Sequence, residues 1–259
     1  MADPTTRIQL CGRVVAEIDG RRVESDLPGR KGRLLFVYLV ANRDRNIGRD
    51  DLVEALWPTG APAAVDSDLR ALTSKVRRAV GRDALGLRSR FKLELAGDAW
   101  IDLEAAGFAV HRAEAAVAKA QWATAWSAAQ AVLSTARREF LAGEDAPWIH
   151  QWRRYLEQLE VRATECYVEA SIGLGSAELG TAERCARSLI QKEPYREEGY
   201  RLLMEALLAL GNGAEAMHVY DELRTLLREE LGMSPSAPTQ EMHKRMLHAG
   251  WAPDHQTST

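Results

Sequence analysis

Cysteine is scarce in this chain: Cys11, Cys166 and Cys185 are the three in 259 residues. They are odd in number and widely separated, which argues against a disulfide framework and a cysteine-based zinc site and fits a reducing cytoplasm. The histidines do not compensate. His243 and His248 lack a cysteine or carboxylate at ligand spacing, and His111, His150, His218 and His255 are isolated, so no metal set is expected. Long apolar runs are missing too. None approaches the ~18 residues a membrane helix needs, and no apolar stretch precedes Arg7, so the chain reads as soluble and cytoplasmic, with no membrane partner. A Gly-x-Ser-x-Gly elbow and a Gly-x-x-x-x-Gly-Lys-Ser/Thr phosphate loop are both absent. No catalytic residue and no cofactor is therefore expected, and ATP hydrolysis is not expected as a switch.

What is present is unevenly charged. The formal net charge is -3, which by itself speaks against nucleic acid. Residues 1–101, however, hold 18 Lys+Arg against 14 Asp+Glu, a net +4, and the remainder holds 16 against 23, a net -7. With 46% apolar and 27% charged residues the length accommodates two domains, of which the front one is the candidate for nucleic acid.

The basic excess gathers between Asp66 and Leu95. Leu69, Leu72, Val76 and Val80 recur at helical spacing on one side, with Arg70, Ser74, Arg77 and Arg78 on the other, which predicts a helix with an apolar back and a basic front. Gly81 ends it, and the runs Leu85–Ser89 and Phe91–Leu95 predict a small hairpin. A helix with a charged outer face is ordinarily just a solvated surface helix. Here, from Leu69 to Leu95, the charge is mostly of one sign: Arg70, Lys75, Arg77, Arg78, Arg82, Arg88, Arg90 and Lys92 stand against Asp83 and Glu94 alone. That pattern suits phosphate. The expected DNA-binding residues are Arg70, Ser74, Lys75, Arg77 and Arg78 on the helix, with Arg70, Ser74 and Arg77 reading bases, and Arg88, Arg90 and Lys92 on the hairpin, tracking phosphates or a minor groove.

Ahead of this helix, Ile8–Ile18 and Arg21–Leu27 alternate as strands and meet at Asp19-Gly20, a dipeptide suited to a tight hairpin. Gly29-Arg30-Lys31-Gly32 leads into a helix from Arg33 to Asn42. Asp50-Asp51 open a second helix that stops at Pro58, and Thr59-Gly60-Ala61-Pro62 form the loop to the basic helix. Trp100 and Ile101 either close a last strand or pack at a junction. From Leu103 the sequence turns rich in Ala, Glu and Arg, and helices are expected near 103–120, 123–140, 147–173, 177–193, 195–210, 214–231 and 239–249. Their pairing approaches the ~34-residue tetratricopeptide period. The expected fold is mainly α with a small β part: a winged helix-turn-helix domain over 1–101, an all-helical tetratricopeptide-like domain over 102–250, and a disordered tail over 251–259.

One stretch of the rear half has two readings. Trp148, Trp152 and Arg153 follow Arg137 and Arg138. They read either as a helix core with a basic edge, or as an effector pocket in which aromatic and guanidinium groups hold a small anionic ligand or a peptide.

The residues also resemble a known family. Leu27-Pro28-Gly29-Arg30-Lys31, Asp51-Leu52-Val53-Glu54-Ala55-Leu56-Trp57 and Leu69 through Gly81 resemble the winged helix of the Streptomyces antibiotic regulatory proteins. Glu144-Asp145-Ala146-Pro147-Trp148, Lys192-Glu193-Pro194-Tyr195-Arg196-Glu197 and Glu230-Leu231-Gly232-Met233-Ser234-Pro235 resemble that family's bacterial transcriptional activation domain. The resemblance implies an OmpR-type winged helix joined to a tetratricopeptide-like domain, in an activator that binds direct repeats of double-stranded promoter DNA beside a second protomer and recruits RNA polymerase with its sigma factor. It also implies that the loop Thr59, Gly60, Ala61, Pro62 is the candidate polymerase contact. The alternative is a tetratricopeptide-like adaptor whose basic front binds an acidic protein rather than DNA.

Overall fold

Asp19 and Gly20 take positive φ, 51° and 74°, the pair of left-handed conformations a type I′ turn requires. They join β2 (Val15–Ile18) to β3 (Arg21–Arg22). The stretch expected as one strand, Ile8–Ile18, is two. β1 (Arg7–Gln9) and β2 run antiparallel with Ile8 opposite Ala16, because the chain reverses around Gly12 at φ 77°. A computed structural model describes residues 5–81, 85–86, 91–175 and 177–249. Its chain divides into two compact units, Met1–Phe108 with Ser134–Gln158, and Ala109–Leu133 with Leu159–Thr259.

In the first unit, α1 (Gly29–Ala41) carries an unbroken buried run from Leu34 to Val40, so it is the core helix that others pack around. It starts four residues earlier than the apolar pattern shows, because Gly29 through Gly32 are already helical. α2 (Arg49–Leu56) begins at Gly48, whose N–H donates to Asp51 Oδ2 at 2.9 Å, and Asp50 and Asp51 lie at the positive end of its dipole. α3 (Val65–Val80) ends at Gly81, φ 109°. β4 (Leu85–Gly86) and β5 (Lys92–Leu93) pair antiparallel with Leu85 opposite Leu93, and Phe91 bridges to Ile47. β6 (Trp100–Ile101) closes the sheet, parallel to β1, in the order β3-β2-β1-β6.

This unit reaches past residue 101. Asp102, with no exposed surface, accepts hydrogen bonds from the N–H groups of Leu10 (2.9 Å), Cys11 (3.0 Å) and Leu103 (3.0 Å). Gly12 N–H donates to Glu139 O at 2.9 Å, and Cys11 bridges to Phe140. Burial pushes the Cys11 thiol far above the ordinary range, so it is an inert packing group.

Among the described residues seven helices follow β6: α4 (Asp102–Val117), α5 (Trp122–Ala136), α6 (Pro147–Leu174), α7 (Leu179–Lys192), α8 (Glu197–Ala209), α9 (Gly213–Leu231) and α10 (Ala237–Ala249). In the second unit α7 to α10 share a core that includes Leu189, Leu203, Leu207, Leu223 and Met242. The starts of α7 and α9 repeat at about 34 residues, the helix-pair period of tetratricopeptide arrays. The Leu231-Gly232-Met233-Ser234-Pro235 motif is a helix stop: Gly232 is left-handed at φ 66°, and Met233 N–H returns to Leu227 O at 3.0 Å. Ser236, just beyond, donates its N–H and hydroxyl to the Glu197 carboxylate. None of the described helices is long and apolar enough to cross a membrane.

Candidate nucleic-acid interface

α3 buries Leu69, Thr73, Val76, Ala79 and Val80. Thr73 replaces Leu72 as the expected core position. Its hydroxyl donates to Leu69 O at 2.8 Å, which satisfies the polar group within its own helix and lets the methyl join the core. Leu72 is half-buried beside it. The opposite face exposes Arg70, Ala71, Ser74, Lys75 and Arg78. Arg70, Lys75 and Arg78 have no ion-pair or hydrogen-bond partner among the described residues. Three unneutralised cations thus stand on one exposed helix face, at spacings i, i+5 and i+8.

Arg77 does not share that exposure. It is half-buried at the edge of the stripe and engaged within the protein, so of the expected base readers, Arg70 and Ser74 face outward and Arg77 turns aside.

The helix is fixed at both ends. Asp66 and Asp68 lie in its first turn, Arg77 and Arg78 in its last, matching the dipole. Arg49 bonds Asp66 at 2.7 Å, tying the start of α2 to the start of α3. Arg21 donates to Ala79 O and pairs with Asp26 at 3.2 Å, tying the last turn to β3. Lys31 lies 4.9 Å from the Trp57 ring centroid and donates to Leu56 O, fixing the end of α2. The loop from Thr59 to Ala61 is exposed and Pro62 is half-buried. Gly60, at φ 130°, takes a conformation a side chain would strain.

On the hairpin, Arg88 and Arg90 lie outside the described residues. Lys92 is half-buried and lines a groove with Arg43, Asp44, Glu94 and Glu104, an acidic setting rather than a clear phosphate track.

The five residues of the candidate effector pocket do not converge on one cavity. Trp148 is 9% exposed; its indole N–H donates to Ala55 O at 3.2 Å, and its ring meets Tyr38 and Phe140 edge-on at 5.0 and 6.0 Å. Arg153 holds the loop before α6, donating to the carbonyls of Phe140, Leu141 and Glu144 at 2.9 to 3.1 Å and pairing with Glu139. Arg138 donates to Gln9 Oε1 at 2.9 Å, and Arg137 is exposed and also engaged. Trp152 lines a mostly apolar cavity of about 380 Å³ with Val40, Ile101 and Tyr155. Trp148, Arg138 and Arg153 thus each make packing or hydrogen-bonding contacts within the first unit.

In the second unit the charge is of the other sign. Burial, with Glu198, Glu205 and Glu165 nearby, pushes the Glu169 carboxyl up to about 7.

Comparison with known proteins adds four findings. Residues 101–247 match the family model described as the bacterial transcriptional activator domain. The chain is 30% identical over 217 residues to the regulatory protein AfsR of Streptomyces griseus, covering 84% of this chain and 22% of that protein. It is 28% identical over 251 residues to the transcriptional regulatory protein EmbR of Mycobacterium tuberculosis, covering 92% of this chain and 62% of that one. A solved structure of Mycobacterium tuberculosis EmbR in complex with a low-affinity phosphopeptide superposes with TM-score 0.81 at 23% identity, over 95% of this chain and 65% of that one. The chain thus spans between about a fifth and two thirds of these relatives' own length.

Proposed function

Since the chain belongs to the bacterial transcriptional activator domain family and is related to AfsR and EmbR over most of its length, we propose that it activates transcription by binding double-stranded promoter DNA through the exposed face of α3. The observation that carries this is the unneutralised set Arg70, Lys75 and Arg78 on a helix anchored at both ends. An arginine on such a helix is suited to a bidentate bond to guanine in the major groove, and lysines suit phosphate. In this reading residues 1–101 are the DNA-binding domain and 102–250 the activation domain. Two protomers on a direct repeat sit head to tail, so their contact is heterologous and need not persist without DNA.

A gel shift with promoter DNA at two salt concentrations tests the reading. Phosphate contacts release counterions, so affinity is expected to fall steeply with salt. Binding of an acidic protein, with no DNA shift at either salt concentration, would favour the adaptor instead.

The exposed loop Thr59–Pro62 adjoins α3 in sequence, and we assign it the contact with RNA polymerase and sigma factor. Substituting Thr59 and Ala61 with aspartate is expected to lower transcription from the promoter several-fold with DNA affinity unchanged. In vitro transcription and a binding titration on the same preparation check this; equal losses in both would mean that the loop only positions α3.

A further inference from the structure

A cavity of about 630 Å³ in the first unit lies between the β1–β2 turn, the start of α1 and the loop before α6. That size is within the range of small-molecule sites. Arg13, Arg30 and Arg33 line it, together with Glu24 and Glu144. The carboxylates are already matched. Glu24 pairs with Arg22 at 2.9 Å, and Glu144 accepts from Arg30 Nε at 2.8 Å and Nη2 at 2.6 Å. Arg13 and Arg33 are exposed, and their guanidinium groups have no ion-pair or hydrogen-bond partner among the described residues, Arg13 being bonded only through its carbonyl, which accepts from Gln9 Nε2 at 2.9 Å. The wall formed by α1 adds to the positive sign, since this helix has no acidic residue in its first turn and no side-chain cap, leaving the positive end of its dipole uncompensated.

We propose that this cavity binds a small phosphorylated ligand, held by Arg13 and Arg33 with the Arg30 guanidinium beside them. A guanidinium offers phosphate oxygens a planar fork of donors, and two free forks in one cavity suit a group with several anionic oxygens better than a single carboxylate. Arg30 already grips the Glu144 carboxylate in this way, so a bound phosphate competes with Glu144 for it. That exchange loosens the attachment of the loop before α6 to α1. The inference stands apart from the DNA reading, because none of these residues lies on α3.

Isothermal titration of the full chain with pyrophosphate, at constant ionic strength, tests it. Binding is expected in the unmodified protein, with affinity falling about tenfold or more in Arg13→Ala/Arg33→Ala. Arg70→Ala/Arg78→Ala is expected to bind as the unmodified protein does. Loss in this second variant instead would place the anion on α3 and overturn the proposal, as would no heat at all with pyrophosphate. Should the double alanine variant fail to fold by circular dichroism, Arg13→Lys/Arg33→Lys keeps the charge and removes the forks; weakened binding is then expected and unchanged binding contradicts the site. A phosphothreonine peptide that binds more tightly than pyrophosphate, and is lost with the same arginines, would overturn the ligand class in favour of a protein partner.

Discussion

Trp148→Ala is expected to destabilise the first unit by about 3 to 5 kcal/mol, the range for emptying a buried aromatic site. The indole fills the space between Tyr38 of α1 and Phe140, and it supplies a donor to the Ala55 carbonyl near the end of α2. Its loss leaves a cavity and an unpaired carbonyl together. Trp148→Phe keeps most of the ring contact and removes the donor, so it is expected to cost much less, about 1 kcal/mol for the hydrogen bond plus a small packing loss. Urea unfolding followed by far-ultraviolet circular dichroism checks both. Equal midpoints for the alanine variant and the unmodified protein would show that the indole carries no load. The same geometry predicts that a fragment ending at residue 158 is more stable than one ending at 101, which loses both Asp102 and Trp148.

The second large effect is expected at Asp102. Its carboxylate accepts three N–H groups at the point where β6 passes into α4, and it has no exposed surface. Asp102→Ala leaves three donors without their acceptor, each costing about 1 to 3 kcal/mol when buried, so a loss of about 3 kcal/mol or more is expected. Asp102→Asn retains one acceptor oxygen and is expected to fall between. The pH dependence has a definite sign. Burial raises the Asp102 carboxyl above the ordinary range, against the hydrogen bonds from Cys11 and Leu10 and the nearby Arg138 charge. The folded state then holds this proton more tightly than the unfolded one, so stability from this group is greatest in acid and declines as pH rises through the ordinary carboxylate range to the raised value. Urea midpoints of the unmodified protein relative to Asp102→Asn, measured from pH 3 to pH 8 (~0.5-unit steps), are expected to fall with rising pH. A relative rise would mean that the hydrogen bonds outweigh burial.

The sequence shows these features unequally, for physical reasons. The seven helices after residue 101 are plain in their 3.6-residue periodicity, and the Asp19-Gly20 turn in its dipeptide, because both signals are local. Thr73 misleads because a hydroxyl reads as surface polarity until its bond to Leu69 O is seen. Arg77 and Arg78 are adjacent on a helix that turns 100° per residue, so the pattern places both on the basic front, although Arg77 is half-buried and Arg78 exposed. The part played by residues 134–158 in the first unit is not visible at all, since the Trp148 to Ala55 bond joins positions 93 apart. For the cavity of Arg13 and Arg33, the local sign is the basic run Arg30-Lys31-Gly32-Arg33 with no acid at the start of a helix, where acids are usually favoured. Arg13 joins it only through the reversal at Gly12.

The outward face of α3 is proposed to read DNA. The most direct test is a pair of titrations of the full chain, on promoter DNA and on a scrambled duplex, for the unmodified protein and for Arg70→Ala. Arg70 is exposed and without a partner among the described residues, so its replacement leaves the fold intact. A base-reading arginine is worth about 1 to 3 kcal/mol on the correct site, and affinity for the promoter is expected to fall about fivefold to a hundredfold or more while affinity for the scrambled duplex barely changes. An equal loss on both duplexes, with a salt slope shallower by about one unit, would make Arg70 a phosphate contact and contradict the reading of α3 at that position; no loss on either would contradict it altogether.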